Sequence, residues 1–204
     1  MKKLILIAGL VGGLSTSAFA TNFVQDGNFS NPSNGGGWGA SQGPYWFNNA
    51  EWGVESGNSN VYGLACANAA CQSAEIDYNT YGDVVQTVSG LTVGKTYDVS
   101  YLYGGRSGTG LQQINVFFGG AQLGGVNTAV VGQWTSYSFL VKATATSEVL
   151  EFAALNTGIA PSYGNEITNV AVSAPEASTW AMMLAGFAGL GFVGYRRQKA
   201  AFAA

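Results

Sequence analysis

The sequence predicts an all-β antiparallel sandwich, and three observations carry that expectation. Between residues 21 and 173, short runs of Val, Ile, Thr, Tyr and Phe alternate with polar residues at period two. That spacing puts one side of a strand in a core and the other in solvent. Gly, Asn and Ser pairs punctuate the runs at turn-like intervals. Neither a long helical pattern nor strand–helix alternation occurs within the stretch, which disfavours a parallel sheet.

The chain opens with the parts of a secretory signal. Lys2-Lys3 supply the positive start, Leu4 to Leu14 the apolar region, and Ala18-Phe19-Ala20 a small-x-small cleavage site. Residues 1–20 are therefore expected to be removed, and the mature chain to begin near Thr21 outside the cytoplasmic membrane. A first transmembrane helix is the other reading, and its apolar region is short.

Strands are then expected in order. Phe23 to Phe29 reads as a first strand broken at Asp26-Gly27. Residues 31–60 are rich in Gly and Asn, with short strands placed near Tyr45–Phe47, Trp52–Glu55 and Val61–Ala65. Val84 to Val88 ends at Ser89-Gly90. Thr96 to Tyr103 sends Tyr97, Val99, Tyr101 and Tyr103 one way and Asp98, Ser100 and Leu102 the other, the pattern of a half-buried antiparallel strand. Ile114, Val116 and Phe118 alternate before Gly119-Gly120, and Thr135, Tyr137, Phe139 and Val141 alternate against Ser136, Ser138 and Lys142. Val149–Ala153 and Ile167–Val172 complete the set. Residues 21–173 thus form one domain of ordinary size.

Composition excludes several chemistries. Histidine is absent, which removes imidazole bases, Ser-His-Asp triads and His-ligated metals. Within 21–173 the bases Lys95, Arg106 and Lys142 stand against ten acids, a net charge of −7. A field of that sign repels phosphate backbones, so nucleic acid is not an expected partner. Cys66 and Cys71 are the two cysteines. In an exported chain their spacing is most simply a small-loop disulfide, with two reduced buried thiols as the alternative. Two thiolates alone do not complete a zinc site.

The last thirty residues read as an address and an anchor. Pro175-Glu176-Ala177-Ser178 precedes an uncharged run from Thr179 to Tyr195, and Arg196-Arg197-Gln198-Lys199 follow. At ~1.5 Å per residue, residues 179–195 reach about 25 Å, the low edge of a membrane span. Trp180 and Tyr195 stand where interfacial rings belong, and the basic end is expected to stay cytoplasmic with the domain outside. Ala181, Ala185 and Gly189 share a face that either packs on another helix or simply faces lipid.

This segment, 174–204, resembles the PEP-CTERM sorting tail of Gram-negative bacteria, also found under an ice-binding C-terminal label that implies nothing about ice. Pro175, Glu176, the Trp180-to-Phe192 wording and Arg196-Arg197 carry the likeness, while Ala177 stands where the family has its second proline. The resemblance implies recognition by an exosortase-type membrane transpeptidase, and a place at the cell surface beside extracellular polysaccharide. The domain resembles galactose-binding-like jelly rolls through Asp26-Gly27-Asn28-Phe29, Val85 to Tyr97, Tyr103-Gly104-Gly105-Arg106 and Tyr163 to Val170. Family members commonly carry acids linked to structural calcium at the positions held here by Ser30 and Thr168, so no cofactor is expected.

Three constellations are candidates for chemistry. Glu75-Ile76-Asp77 has the first two members of the Glu-x-Asp-x-x-Glu strand of laminarinase-type glucanases, but Thr80 holds the third place. The pair is accordingly read as a solvated strand face, and Glu51 and Glu55, which flank Trp52, as exposed surface acids. Trp38, Tyr45, Trp46, Phe47 and Trp52 form the ligand-binding expectation, since flat rings in glycine-rich loops stack on sugars. The same rings are equally suited to anchoring loops on the sandwich. Arg106, after Gly104-Gly105, is a fork for carboxylates or hydroxyls, or a surface cation partnering an acid. The expected function is non-catalytic binding or structuring of extracellular polysaccharide. A ligand-free structural envelope protein and a glycoside hydrolase are the alternatives.

Overall fold

The computed structural model describes residues 21–33, 37–41, 43–49, 54–174 and 186–189. Among the described residues twelve strands form two antiparallel sheets. They are β1 (Trp38–Ser41), β2 (Phe47–Asn48), β3 (Val54–Asn58), β4 (Gln72–Glu75), β5 (Asp83–Ser89), β6 (Thr96–Gly105), β7 (Gln113–Phe118), β8 (Ala121–Gln122), β9 (Asn127–Thr128), β10 (Trp134–Lys142), β11 (Ser147–Ala154) and β12 (Asn165–Ser173). The first sheet runs β1-β3-β4-β12-β6-β10; the second runs β2-β5-β11-β7-β8, with β9 also on β7. The all-β sandwich is thus as the alternation predicts.

The core lies between the sheets and is built by period two. Tyr97, Val99, Tyr101 and Tyr103 of β6 are buried against Val84 and Val88 of β5, Ile114 and Val116 of β7, and Leu150 and Phe152 of β11. Tyr101 meets Phe152 edge-on at 5.0 Å and stacks on Tyr137 of β10 at 5.4 Å. Such pairs are each worth roughly 0.5–1.5 kcal/mol beyond the area they bury.

Three local expectations give way. Phe23 to Phe29 is not a strand: the Asp26 carboxylate accepts from the Ser30 amide and hydroxyl and from the Asn31 amide. Asp26 and Phe29 take positive φ, 49° and 53°, and the segment curls into a turn. A short acid side chain offering local acceptors competes with ladder pairing. Second, the expected Val61–Ala65 strand does not form: Val61 and Tyr62 end a 3-10 turn, Ser59–Tyr62, capped by the Asn58 side chain and closed by left-handed Gly63. Third, β12 is not regular. Its register shifts between Thr168 and Ala171, with Asn169 at φ 52°. That bulge receives Gly27, whose carbonyl accepts from the Val170 amide at 2.9 Å. A Cβ on Gly27 would stand 1.9 Å from the Val170 carbonyl oxygen, so only glycine fits.

The expected signal segment 1–20, the expected sorting residues Pro175, Glu176, Ala177, Arg196 and Arg197, and Trp52 lie outside the described residues. Of the expected membrane span, 186–189 is described and forms one helical turn. Among the described residues no helix is long and apolar enough to cross a membrane.

Candidate functional site

Three strands of the first sheet carry a row of acids. Glu55 of β3 is the register partner of Glu75 of β4, and Glu75 is that of Glu166 of β12. Directly opposed residues in antiparallel strands project to the same face. All three side chains therefore leave the face opposite Ala74 and Ile167, which sit in the core.

That face is not open to water. The 3-10 turn folds over it, and the buried Tyr62 hydroxyl donates to Glu55 Oε1 at 2.9 Å. The turn is held by the loop behind it. Cys66 and Cys71 are joined in a disulfide, the Ser59 amide donates to the Cys71 carbonyl, and Asn68 reaches Thr168 and Asn169 on the β12 bulge. From the other side the Arg106 guanidinium lies 5.7 Å from the Tyr62 ring centre and donates to the Ser162 carbonyl at 3.0 Å.

Between these parts is a cavity of about 130 Å³, lined by Glu55 and Glu75 on its floor and by Trp38, Val61, Tyr62, Tyr78, Arg106 and Ser162. Trp38 of β1 is more than half exposed and forms a tilted pair with Tyr78 at 6.4 Å. Trp38 stands opposite Gly57, where a Cβ would be 2.8 Å from both the Trp38 Cβ and the Tyr62 hydroxyl. The missing side chain at Gly57 lets the two rings flank the acids. A second cavity, lined by Asp26, Phe29, Trp46 and others, is about 20 Å³, room for roughly one water.

The electrostatics of the acid row follow from burial. Glu75 is 1% exposed, and no N–H or hydroxyl reaches either of its carboxyl oxygens. The Glu55 carboxyl is its register neighbour across the β3–β4 pair. Burial, then the neighbouring Glu166, Glu55 and Asp77 carboxyls, push the Glu75 pKa up to about 10. Burial also raises Glu166 well above the usual carboxyl range, against the Ser73 hydroxyl that donates to it at 2.9 Å and the Arg106 charge. The Tyr62 phenol is raised by burial and then by the Glu166 and Glu55 carboxyls. Asp77 instead ties strands together. It accepts from the amide and side-chain nitrogen of Asn165 at 3.0 and 2.9 Å, and Asn165 in turn meets Gln112 and Tyr103.

The expected site residues separate in space. Trp38 and Arg106 line one cavity. Trp46 is corrected to a core residue: its ring is 3% exposed between Phe29 and Phe152, and its Nε1 donates to the Asp26 carbonyl. A ring so enclosed has no face to offer a sugar. Tyr45 and Phe47 are exposed, but neither lines the cavity, and Phe47 belongs to the second sheet. The reading of Glu75 and Asp77 as a solvated face, and of Glu55 as a surface acid, is also corrected, because the 3-10 turn and the segments at Arg106 and Ser162 cover them. Tyr62, Tyr78, Ser162 and Glu166 join the site without any signal in their local sequence. The Glu-x-Asp spacing is the available signal for Glu75, but its partner is on another strand.

No group of three His, Cys, Asp or Glu placed to hold a metal occurs among the described residues. Of the two positions considered for calcium, the Ser30 hydroxyl donates to Asp26 and the Thr168 hydroxyl donates to the Gln72 carbonyl.

Comparison with known proteins adds the following. No family model matches the chain. Halomucin of Haloquadratum walsbyi is 29% identical over 183 residues, covering 83% of this chain and 2% of that protein. The chain therefore spans about 2% of the length of the curated relative it matches. Solved structures similar to it include a family 35 carbohydrate-binding module from Clostridium thermocellum, with TM-score 0.46, 12% identity and coverage of 68% of this chain and 98% of that one. The C-terminal family 22 carbohydrate-binding module of Clostridium thermocellum Xyn10B has TM-score 0.49, 11% identity and coverage of 66% and 89%. TmCBM61, solved with β-1,4-galactotriose, has TM-score 0.49, 12% identity and coverage of 76% and 100%.

Proposed function

We propose that this chain is an exported surface protein that binds extracellular polysaccharide through the cavity between Trp38, Glu75 and Arg106, without cutting it. The observation that carries the reading is the half-exposed Trp38 ring in the wall of a cavity floored by acids. An aromatic plane orients the apolar face of a sugar, while carboxyls and a guanidinium fork satisfy its hydroxyls. Tyr45 remains a candidate for a second contact outside the cavity, and Trp52 a candidate for ligand contact.

One observation favours hydrolysis as a second reading: Glu55 and Glu75 share a cavity. Their placement favours binding instead: as register partners both carboxyls project from one sheet face, rather than from the two sides of a scissile bond that a glycosidase pair must flank.

We also infer that the tail from Pro175 to Lys199 is the sorting signal, read by an exosortase-type membrane transpeptidase that leaves the domain outside the cytoplasm. The order of acid-proline marker, apolar run and basic end supports this. Intact mass of the mature protein, with and without the transpeptidase, tests it: an unchanged C-terminus in both strains would leave a plain anchor.

Binding is tested by passing the full chain over a panel of insoluble and gel-embedded polysaccharides, including that of the producing cell. Retention is expected, and Trp38→Ala should weaken it about tenfold. Absence of retention on every polymer would leave the structural envelope role; release of shorter oligosaccharides would establish hydrolysis.

A further inference from the structure

The floor of the cavity poses a chemical problem that neutral sugar hydroxyls solve poorly. Glu75 is buried, lines the cavity, and has no protein N–H or hydroxyl on either oxygen. Its facing groups are Glu55 from β3, Glu166 from β12, Asp77 beyond β4, Tyr62 from the 3-10 turn, Tyr78, and Arg106 beyond β6. Four of these six are acids or a phenol already engaged with Glu55, and the remaining cation is spoken for: Arg106 donates to Ser162, covers the Tyr62 ring, and acts on Glu166. Burial and the three neighbouring acids all press Glu75 toward holding a proton. A ligand that brought a positive charge and several N–H donors to this point would relieve both the repulsion and the missing hydrogen bonds.

We propose that the Glu55–Glu75 end of the cavity takes an ammonium group, so that the polysaccharide recognised is one containing amino sugars with free amines. This rests on the glycan-binding reading above. An ammonium offers three donors to carboxyl oxygens that otherwise meet none on Glu75. Its charge sits among carboxyls that repel one another, in surroundings that screen poorly. Trp38 and Tyr78 flank the position with ring faces, which attract cations as well as sugar planes. An N-acetyl group offers one donor and no charge. Seating the ammonium displaces the proton held on the Glu75 carboxyl, which passes to the buffer.

Titration calorimetry of the full chain at pH 6.5, in two buffers of different ionisation enthalpy, tests this. The probes are a β-1,4-glucosamine tetrasaccharide, its fully N-acetylated counterpart, and a neutral β-1,4-glucose tetrasaccharide. The amine form should bind at least tenfold tighter than either other probe, with release of about one proton. Glu75→Gln keeps the size and neutral state of the protonated acid, so it should leave thermal unfolding intact. It should also lower amine binding at least tenfold and abolish proton release. Equal or tighter Trp38-dependent binding of the acetylated or neutral probe overturns the ammonium assignment while glycan binding stands. Amine binding unchanged in Glu75→Gln also overturns it, as mere attraction to an acidic domain. If none of the three probes nor any polysaccharide binds, the glycan reading falls with it.

Discussion

Glu75 lies directly opposite Glu55 across the β3–β4 pair, and both buried residues line one cavity. An acid pair in that position does not by itself stabilise the fold. Burying ionisable groups side by side works against folding unless a proton or a cation is shared between them.

Stability should therefore fall as pH rises. The Glu75 pKa stands at about 10 in the folded protein, against an ordinary 4.5. Between those values the unfolded chain gives up a proton that the folded chain keeps. The contribution is fully present below about pH 4.5 and is lost progressively as pH climbs toward 10. Denaturant unfolding at pH 5 and pH 8 should show the higher midpoint at pH 5, with a slope on the order of 1 kcal/mol per pH unit at most. Glu75→Gln should flatten that slope. A higher midpoint at pH 8 would contradict the buried, protonated acid.

Trp46→Ala should cost stability rather than binding. The ring fills space between Phe29 and Phe152, and truncating such a side chain costs roughly 3–5 kcal/mol. Thermal unfolding should shift down markedly. Polysaccharide retention, measured on the folded fraction, should match that of the unaltered chain. Loss of retention with an unchanged melting temperature would return Trp46 to the ligand-binding set.

Gly57→Ala should disturb the site from beneath. The added Cβ meets the Trp38 Cβ and the Tyr62 hydroxyl at 2.8 Å, so one ring or the strand must shift. Overpacking of this kind costs about 1–3 kcal/mol. The expected outcome is weakened glycan retention together with a modest loss of stability. Retention at full strength would mean that the Trp38–Tyr62 spacing is irrelevant to binding.

Much of the sandwich is legible in the chain because its strands are locally patterned. Tyr97, Val99, Tyr101 and Tyr103 announce β6 without reference to anything else, and the runs at Ile114 and Tyr137 do the same for β7 and β10. Where a side chain competes for its own backbone the pattern misleads, as Asp26 does when it turns Phe23–Phe29 away from a ladder. The candidate site is legible only in its parts. Trp38 and Arg106 stand out by residue type, but nothing near Trp46 in the chain distinguishes a ring bound for the core from one bound for solvent.

The sequence by itself determined the class of fold, the acidic character of the domain, the absence of imidazole chemistry, and the order of apolar start, acidic middle and basic-ended tail. Those are properties of composition and of short-range spacing. Only the tertiary structure decided that Glu55, Glu75 and Glu166 stand in one row, and that Tyr62 and the disulfide-closed loop roof it. The physical reason is register. Which residues oppose one another is set by the pairing of strands distant in the chain, and a slip of one residue would turn every one of those acids to the other face.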